Sequence, residues 1–135
     1  ACRTAPARGW RTGRPRRCGW LDLVLLRYAA RINGFTELTL TKLDVLSGIS
    51  PLQMCTAYRG SGRVTENLEA TPDALGMFTP EYTELPGWEE DITAARSLAR
   101  LPGSARAYVE TIENLTGIPV KMISVGPERD ALIVS

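Results

Sequence analysis

Arg31-Ile32-Asn33-Gly34-Phe35-Thr36-Glu37-Leu38-Thr39-Leu40-Thr41-Lys42-Leu43-Asp44 changes periodicity partway along its length. Upstream of it, Trp20, Leu23, Leu26, Arg27 and Ala30 recur at helical spacing, and Asn33-Gly34 is a good C-cap pair that ends the helix. Glu37 to Thr41 then alternates, which reads as a strand. Helix, strand and charged turn in close succession point to an α/β protein, in which ligands gather at the carboxyl ends of strands. Thr41-Lys42-Leu43-Asp44 stands at such an end.

The remaining pattern agrees with an α/β class. Leu52 to Tyr58 reads as a strand, and Gly60-Ser61-Gly62 turns it into a hairpin with Arg63 to Leu68. Thr71-Pro72-Asp73 predicts the start of a short helix that must end before Pro80. Glu81 to Leu85 predicts a strand stopped by Pro86-Gly87, and Asp91 a helix cap with a helix running through Leu98. A longer helix follows Pro102, with Ala105, Tyr108, Val109, Ile112 and Leu115 on one face and Gly117 closing it. Val120 to Val125 and Leu132 to Val134 predict two further strands, the first of them buried.

Composition narrows the functional classes. The 135 residues are 44% hydrophobic and 23% charged, ordinary for one globular domain. The longest apolar stretch, Leu23 to Leu26, is too short to span a bilayer, and no secretory signal pattern is present. Cys2, Cys18 and Cys55 form an odd set without CxxC spacing, which argues against a disulfide framework or zinc site and favours a cytoplasmic setting. The absence of histidine removes the commonest general base from this stretch. Charge is divided unevenly: residues 1–20 carry six arginines and no acid, whereas the rest of the chain is net acidic.

Three segments are candidates for chemistry. In Thr12-Gly13-Arg14-Pro15-Arg16-Arg17-Cys18-Gly19-Trp20, arginine forks suited to carboxylate or phosphate oxygens lie between glycines that permit close backbone approach. The same run also reads as a basic arm on nucleic-acid phosphates. In Thr41-Lys42-Leu43-Asp44, the aspartate is placed to accept two hydrogen bonds from the ring N–H and exocyclic amine of guanine; the alternative is a strand-end Lys/Asp pair facing water. Ser124-Val125-Gly126-Pro127 offers a hydroxyl and backbone groups to a nucleotide edge, or is simply a strand-terminating turn. Cys55 reads as a core cysteine and Gly60-Ser61-Gly62 as a hairpin turn. Glu89-Glu90-Asp91 reads as the acidic start of a helix rather than a metal site.

TGRPRRCGWLD, RINGFTELTLTKLDVLSG, MCTAYR, LPGW and ISVGPERD, in this order and spacing, resemble the C-terminal third of the adenylosuccinate synthetase family, from about Gly9 to Val134. The resemblance implies part of a P-loop-NTPase-like mixed sheet with flanking helices. It implies GTP-dependent ligation of IMP and L-aspartate to adenylosuccinate, in purine (AMP) biosynthesis, by a cytoplasmic homodimer with neither membrane nor nucleic-acid partners. Trp10, Arg11, Thr12, Gly13, Arg14, Pro15 and Arg16 correspond to the aspartate/IMP loop, with Arg14 on IMP and Arg16 also touching GTP. Lys42, Leu43 and Asp44, with Ser124, Val125 and Gly126, correspond to the guanine-binding elements. Trp10 and Arg11 stand where the family pattern has Val and Thr. Residues 1–8 fall outside the resemblance, with an Ala/Arg/Pro character that a reading-frame shift or aberrant start would give. The family's phosphate loop, aspartate base, histidine acid and Mg2+ ligands lie mostly upstream, so no catalytic or metal-ligating residue is assigned here and the isolated chain is expected not to turn over. The alternative from a different class is a non-catalytic nucleotide- or nucleic-acid-binding module using the basic arm. A third reading is an unstable piece whose strand Val120 to Val125 presents unpaired edges.

Overall fold

A computed structural model of the chain describes residues 18–60, 62–67 and 76–135. The first helix, α1 (Leu23–Asn33), starts at Asp22, whose carboxylate accepts from the Leu25 amide at 2.9 Å. It ends where Gly34 takes the left-handed conformation, its N–H donating to the Ala30 carbonyl. Leu23, Val24 and Ala30 are its buried positions. The second helix, α2 (Gly103–Thr116), buries Ala105, Tyr108, Val109 and Ile112 at helical spacing and closes at Gly117. Leu115, expected on that apolar face, is 40% exposed, and its carbonyl accepts from the Arg27 guanidinium instead.

The strands form two sheets, each mixing parallel and antiparallel pairs. In the larger, β3 (Leu52–Gly60) pairs antiparallel along its length with β5 (Thr79–Leu85). It also pairs parallel with β1 (Leu21–Asp22) and antiparallel with β4 (Arg63–Thr65). Gly60 opposite Arg63 makes the expected hairpin. In the smaller sheet, β2 (Leu38–Leu40) runs parallel to β6 (Val120–Ser124), which pairs antiparallel with β7 (Leu132–Val134). The expectation that Val120 to Val125 presents an unpaired edge is therefore corrected: β6 is the central strand, with β2 on one side and β7 on the other. Ile123 and Ile133, opposite each other, point into a core that also contains Leu23, Leu43, Leu52, Met54, Trp88 and Ile112.

The helix expected from Asp91 through Leu98 does not form. Residues 91–97 are turns and irregular chain, followed by a short 3-10 helix, Leu98–Arg100. The Asp91 carboxylate accepts from the Thr93 amide at 2.9 Å, and this hydrogen bond holds its pKa below the usual carboxylate value. The Ala95 amide then turns back three residues to the Ile92 carbonyl, while the Arg96 guanidinium takes the carbonyls of Thr93 and Ala95. Local side-chain bonds have outcompeted the helical ladder. Glu89-Glu90-Asp91 is accordingly not a helix start. The helix expected at Thr71-Pro72-Asp73 lies outside the described residues.

Candidate functional site

Parallel pairing places Leu40 of β2 opposite Ile123 of β6, so the carboxyl ends of the two strands emerge side by side. The segments that follow them, Lys42-Leu43-Asp44 and Ser124-Val125-Gly126, are thereby brought to one end of one sheet although far apart in sequence. Trp10, Arg11, Thr12, Gly13, Arg14, Pro15 and Arg16 lie outside the described residues.

After β2 the chain turns sharply. Lys42 adopts φ 62°, a left-handed conformation that a side chain with a Cβ enters at a cost. The conformation opens a 3-10 turn, Leu43–Leu46, in which the Val45 amide donates to Lys42 (3.3 Å) and the Ser47 amide to Asp44 (3.2 Å). Leu43 is 1% exposed and anchors the turn in the core, while Lys42 and Val45 face outward. One carboxylate oxygen of Asp44, Oδ1, is buried and has no hydrogen-bond partner among the described residues. Buried polar atoms are nearly always paired, so an orphan at the carboxyl end of a parallel strand pair makes Asp44 a candidate acceptor.

After β6, Val125 is fully buried and its amide donates to the Ala131 carbonyl at 2.9 Å. The Ser124 hydroxyl donates to the Gly126 carbonyl at 3.1 Å, so it braces the turn rather than projecting freely. A Cβ on Gly126 would meet Ala131 Cβ at 3.2 Å, so glycine lets this turn approach the chain returning toward β7. Since Leu43 and Val125 have their side chains in the core, what each offers a ligand is main chain.

A further segment adjoins both turns. Pro86-Gly87-Trp88 runs against Ser47–Ser50, and a Cβ on Gly87 would collide with the Ile49 carbonyl oxygen. The Trp88 indole N–H donates to Ser47 Oγ at 3.0 Å, and that hydroxyl donates onward to the Glu90 carbonyl at 2.9 Å. The Gly48 amide returns to the Trp88 carbonyl at 2.8 Å. Farther along, Thr93 lies beside Gly126 and Arg96 pairs with Asp130 at 3.8 Å. Sequence reasoning missed Ser47 and Trp88. The available signal was the LPGW motif, because a buried indole N–H needs an acceptor.

A second polar cluster ties the start of α1 to β3. The Tyr58 hydroxyl donates to Asp22 Oδ2 at 2.5 Å, and the buried Cys55 thiol lies nearby. Burial, reinforced by Asp22, pushes the Cys55 pKa up to about 11, and burial with the Asp22 hydrogen bond raises that of Tyr58. A thiol so held is protonated at neutral pH, which fits the reading of Cys55 as a core residue. Among the described residues, no group of three or more His, Cys, Asp or Glu side chains is placed to hold a metal ion, and no helix is long and apolar enough to cross a membrane.

Comparison with known proteins bears on all of these elements. The profile of the family described as adenylosuccinate synthetase matches residues 3–133. Adenylosuccinate synthetase of Moorella thermoacetica is 58% identical over 126 residues, covering 93% of this chain and 30% of that protein. The Syntrophomonas wolfei enzyme of the same name is 54% identical over 127 residues, again covering 30% of its length. Among solved structures, fully ligated adenylosuccinate synthetase from Plasmodium falciparum superimposes with a TM-score of 0.87 at 36% identity, over 92% of this chain and 30% of that one. The chain thus spans about three tenths of the length of the curated relatives it matches.

Proposed function

Because the chain belongs to the adenylosuccinate synthetase family, we propose that it carries the guanine- and aspartate-handling part of a GTP-dependent ligase that joins IMP and L-aspartate into adenylosuccinate. In that reaction GTP phosphorylates the 6-oxygen of IMP, and the aspartate amine then attacks C6, forming the C–N bond as phosphate departs. Asp44 accepts hydrogen bonds from the ring N–H and exocyclic amine of guanine, a charge-assisted pair that adenine cannot supply. The aliphatic stem of Lys42 lies along the base while its ammonium stays in water. Main chain around Ser124-Val125-Gly126 closes the other side of the base, with Ser124 holding the turn. Arg14 and Arg16, in the loop Trp10–Arg16, bind the substrate carboxylates and phosphates through their guanidinium forks, Arg14 toward IMP and aspartate and Arg16 toward aspartate and GTP. The phosphate loop and the acid–base pair belong to the part of the family's length that this chain does not span. Mg2+ would supply charge neutralisation at the phosphates, but the described residues do not fit a site for it. The same reading makes the intact protein a cytoplasmic homodimer.

The observation that carries the proposal is the buried Oδ1 of Asp44, without a partner among the described residues, at the carboxyl ends of the two parallel strands that also lead into Ser124–Gly126. Calorimetric titration of the full 135-residue chain with GDP and ADP tests it. GDP is expected to bind in preference to ADP, and Asp44→Asn to weaken GDP by roughly 10- to 100-fold, the worth of a hydrogen bond to a charged group. Equal affinity for GDP and ADP, or oligonucleotide binding with a steep salt dependence indifferent to Asp44→Asn, would sink it.

A further inference from the structure

The guanine reading gives Asp44 a role without explaining what fixes its position. Its turn is a single short 3-10 piece, flanked by main-chain bonds of 3.2 and 3.3 Å and opened by a lysine in the left-handed region. A four-residue 3-10 turn on such terms is marginal by itself. The segment after β5 supplies the missing support. Trp88 is 3% exposed, packs edge-on against Tyr108 of α2 with ring centroids 6.1 Å apart, and is thereby fixed to the core. Its indole N–H then reaches Ser47, the residue that closes the turn and whose own amide bonds to Asp44. Ser47 Oγ accepts from Trp88 and donates to Glu90, so both of its hydrogen-bonding roles are used on one strap. Gly87 makes this possible, since no side chain fits between it and the Ile49 carbonyl.

We infer that Ser47 and Trp88 are positioning residues for guanine recognition: the strap Gly87–Glu90 clamps the far end of the Leu43–Leu46 turn and so holds the Asp44 carboxylate in place. This rests on the guanine reading of Asp44. Neither residue touches the base.

The test uses the full chain and three variants, Ser47→Ala, Ser47→Thr and Asp44→Asn, with GDP as the probe and amide hydrogen exchange by NMR as an independent readout. Ser47→Ala is expected to raise exchange at the amides of Val45 and residue 47 about fivefold, the loss of one ordinary hydrogen bond, while Val109 and Ile112 in α2 stay unchanged. GDP affinity should fall by a similar factor, and Ser47→Thr, which keeps the hydroxyl, should restore both. A uniform rise in exchange across α2 and the turn would reduce Ser47 to a general stabiliser and overturn the inference. So would unchanged GDP affinity in Ser47→Ala when Asp44→Asn weakens binding, an outcome that leaves the guanine reading standing. If Asp44→Asn itself leaves GDP affinity unchanged, the guanine reading fails and this inference fails with it.

Discussion

Removing the Asp44 carboxylate should stabilise the chain even as it abolishes guanine selectivity. A buried polar atom without a partner costs about 1–3 kcal/mol of folding free energy, and Oδ1 is such an atom. Against this, Asp44 is the acidic residue in the first turn of the 3-10 segment, where a negative charge near the amide-rich end contributes about 0.3–1 kcal/mol. Leu43, not Asp44, supplies the packing that anchors the turn, so truncation at residue 44 opens little space in the core. The desolvation term therefore wins, and Asp44→Ala should gain about 1 kcal/mol net. For a chain of this size that corresponds to a rise in Tm of roughly 4 °C. Urea unfolding followed by circular dichroism, without nucleotide, measures it through the midpoint at unchanged slope. With saturating GDP the order should reverse, because at one hundred times Kd the ligand adds about 2.7 kcal/mol to the wild-type chain and little to the variant. A nucleotide-free Asp44→Ala chain that is less stable by 1 kcal/mol or more would refute the reasoning, since it would mean that the carboxylate has a stabilising partner.

Two further predictions concern buried titratable groups. Burial moves the Cys55 thiol from 9.0 to about 11, which lowers its thiolate fraction near pH 8 by about 100-fold, so a Cys2→Ser/Cys18→Ser chain should react with Ellman's reagent only once unfolded; rapid labelling under native conditions would contradict this. Tyr108 is pushed by burial from 10.0 up to about 12, so its native state holds the phenolic proton more tightly than the unfolded chain does. Its contribution is fully present below about pH 10 and is lost as pH rises through about 12; Tyr108→Phe should flatten that alkaline loss in urea titrations at stepped pH, and an unaltered slope would show that other groups cause it.

Elements whose signals are local were legible in the sequence. α1 could be read because Gly34 must take a left-handed φ and the apolar positions before it fall on one face. The β3–β4 hairpin was legible through Gly60 and Gly62. The Asp91 helix was misread because the same aspartate that caps helices also makes a two-residue turn with Thr93, and nothing in the string shows that Arg96 will occupy the carbonyls a helix needs. Leu115 fits the apolar period of α2 but lies past the part of the helix that touches the core. At the site, Lys42, Asp44 and Ser124 could be nominated because each lies at or just past the carboxyl end of a strand. That Trp88 braces Ser47, and that the packing around Asp44 buries an oxygen without pairing it, depend on contacts between residues distant in sequence, whereas the bond of Ser124 to Gly126 is local but is one of several that a serine before a Gly-Pro turn can make.

The parallel pairing of β2 with β6 also sets the order in which the molecule can become functional. Asp44 leaves the ribosome eighty residues ahead of Ser124. Closing a loop of that length costs on the order of 4 kcal/mol of chain entropy before the contact yields anything. On the guanine reading, a nucleotide would have nothing to seed early in synthesis, because half of its proposed cradle would not yet exist. It would act as a late lock, selecting chains in which β6 has already docked. Until then β2 waits as a three-residue strand, too short to recruit other chains.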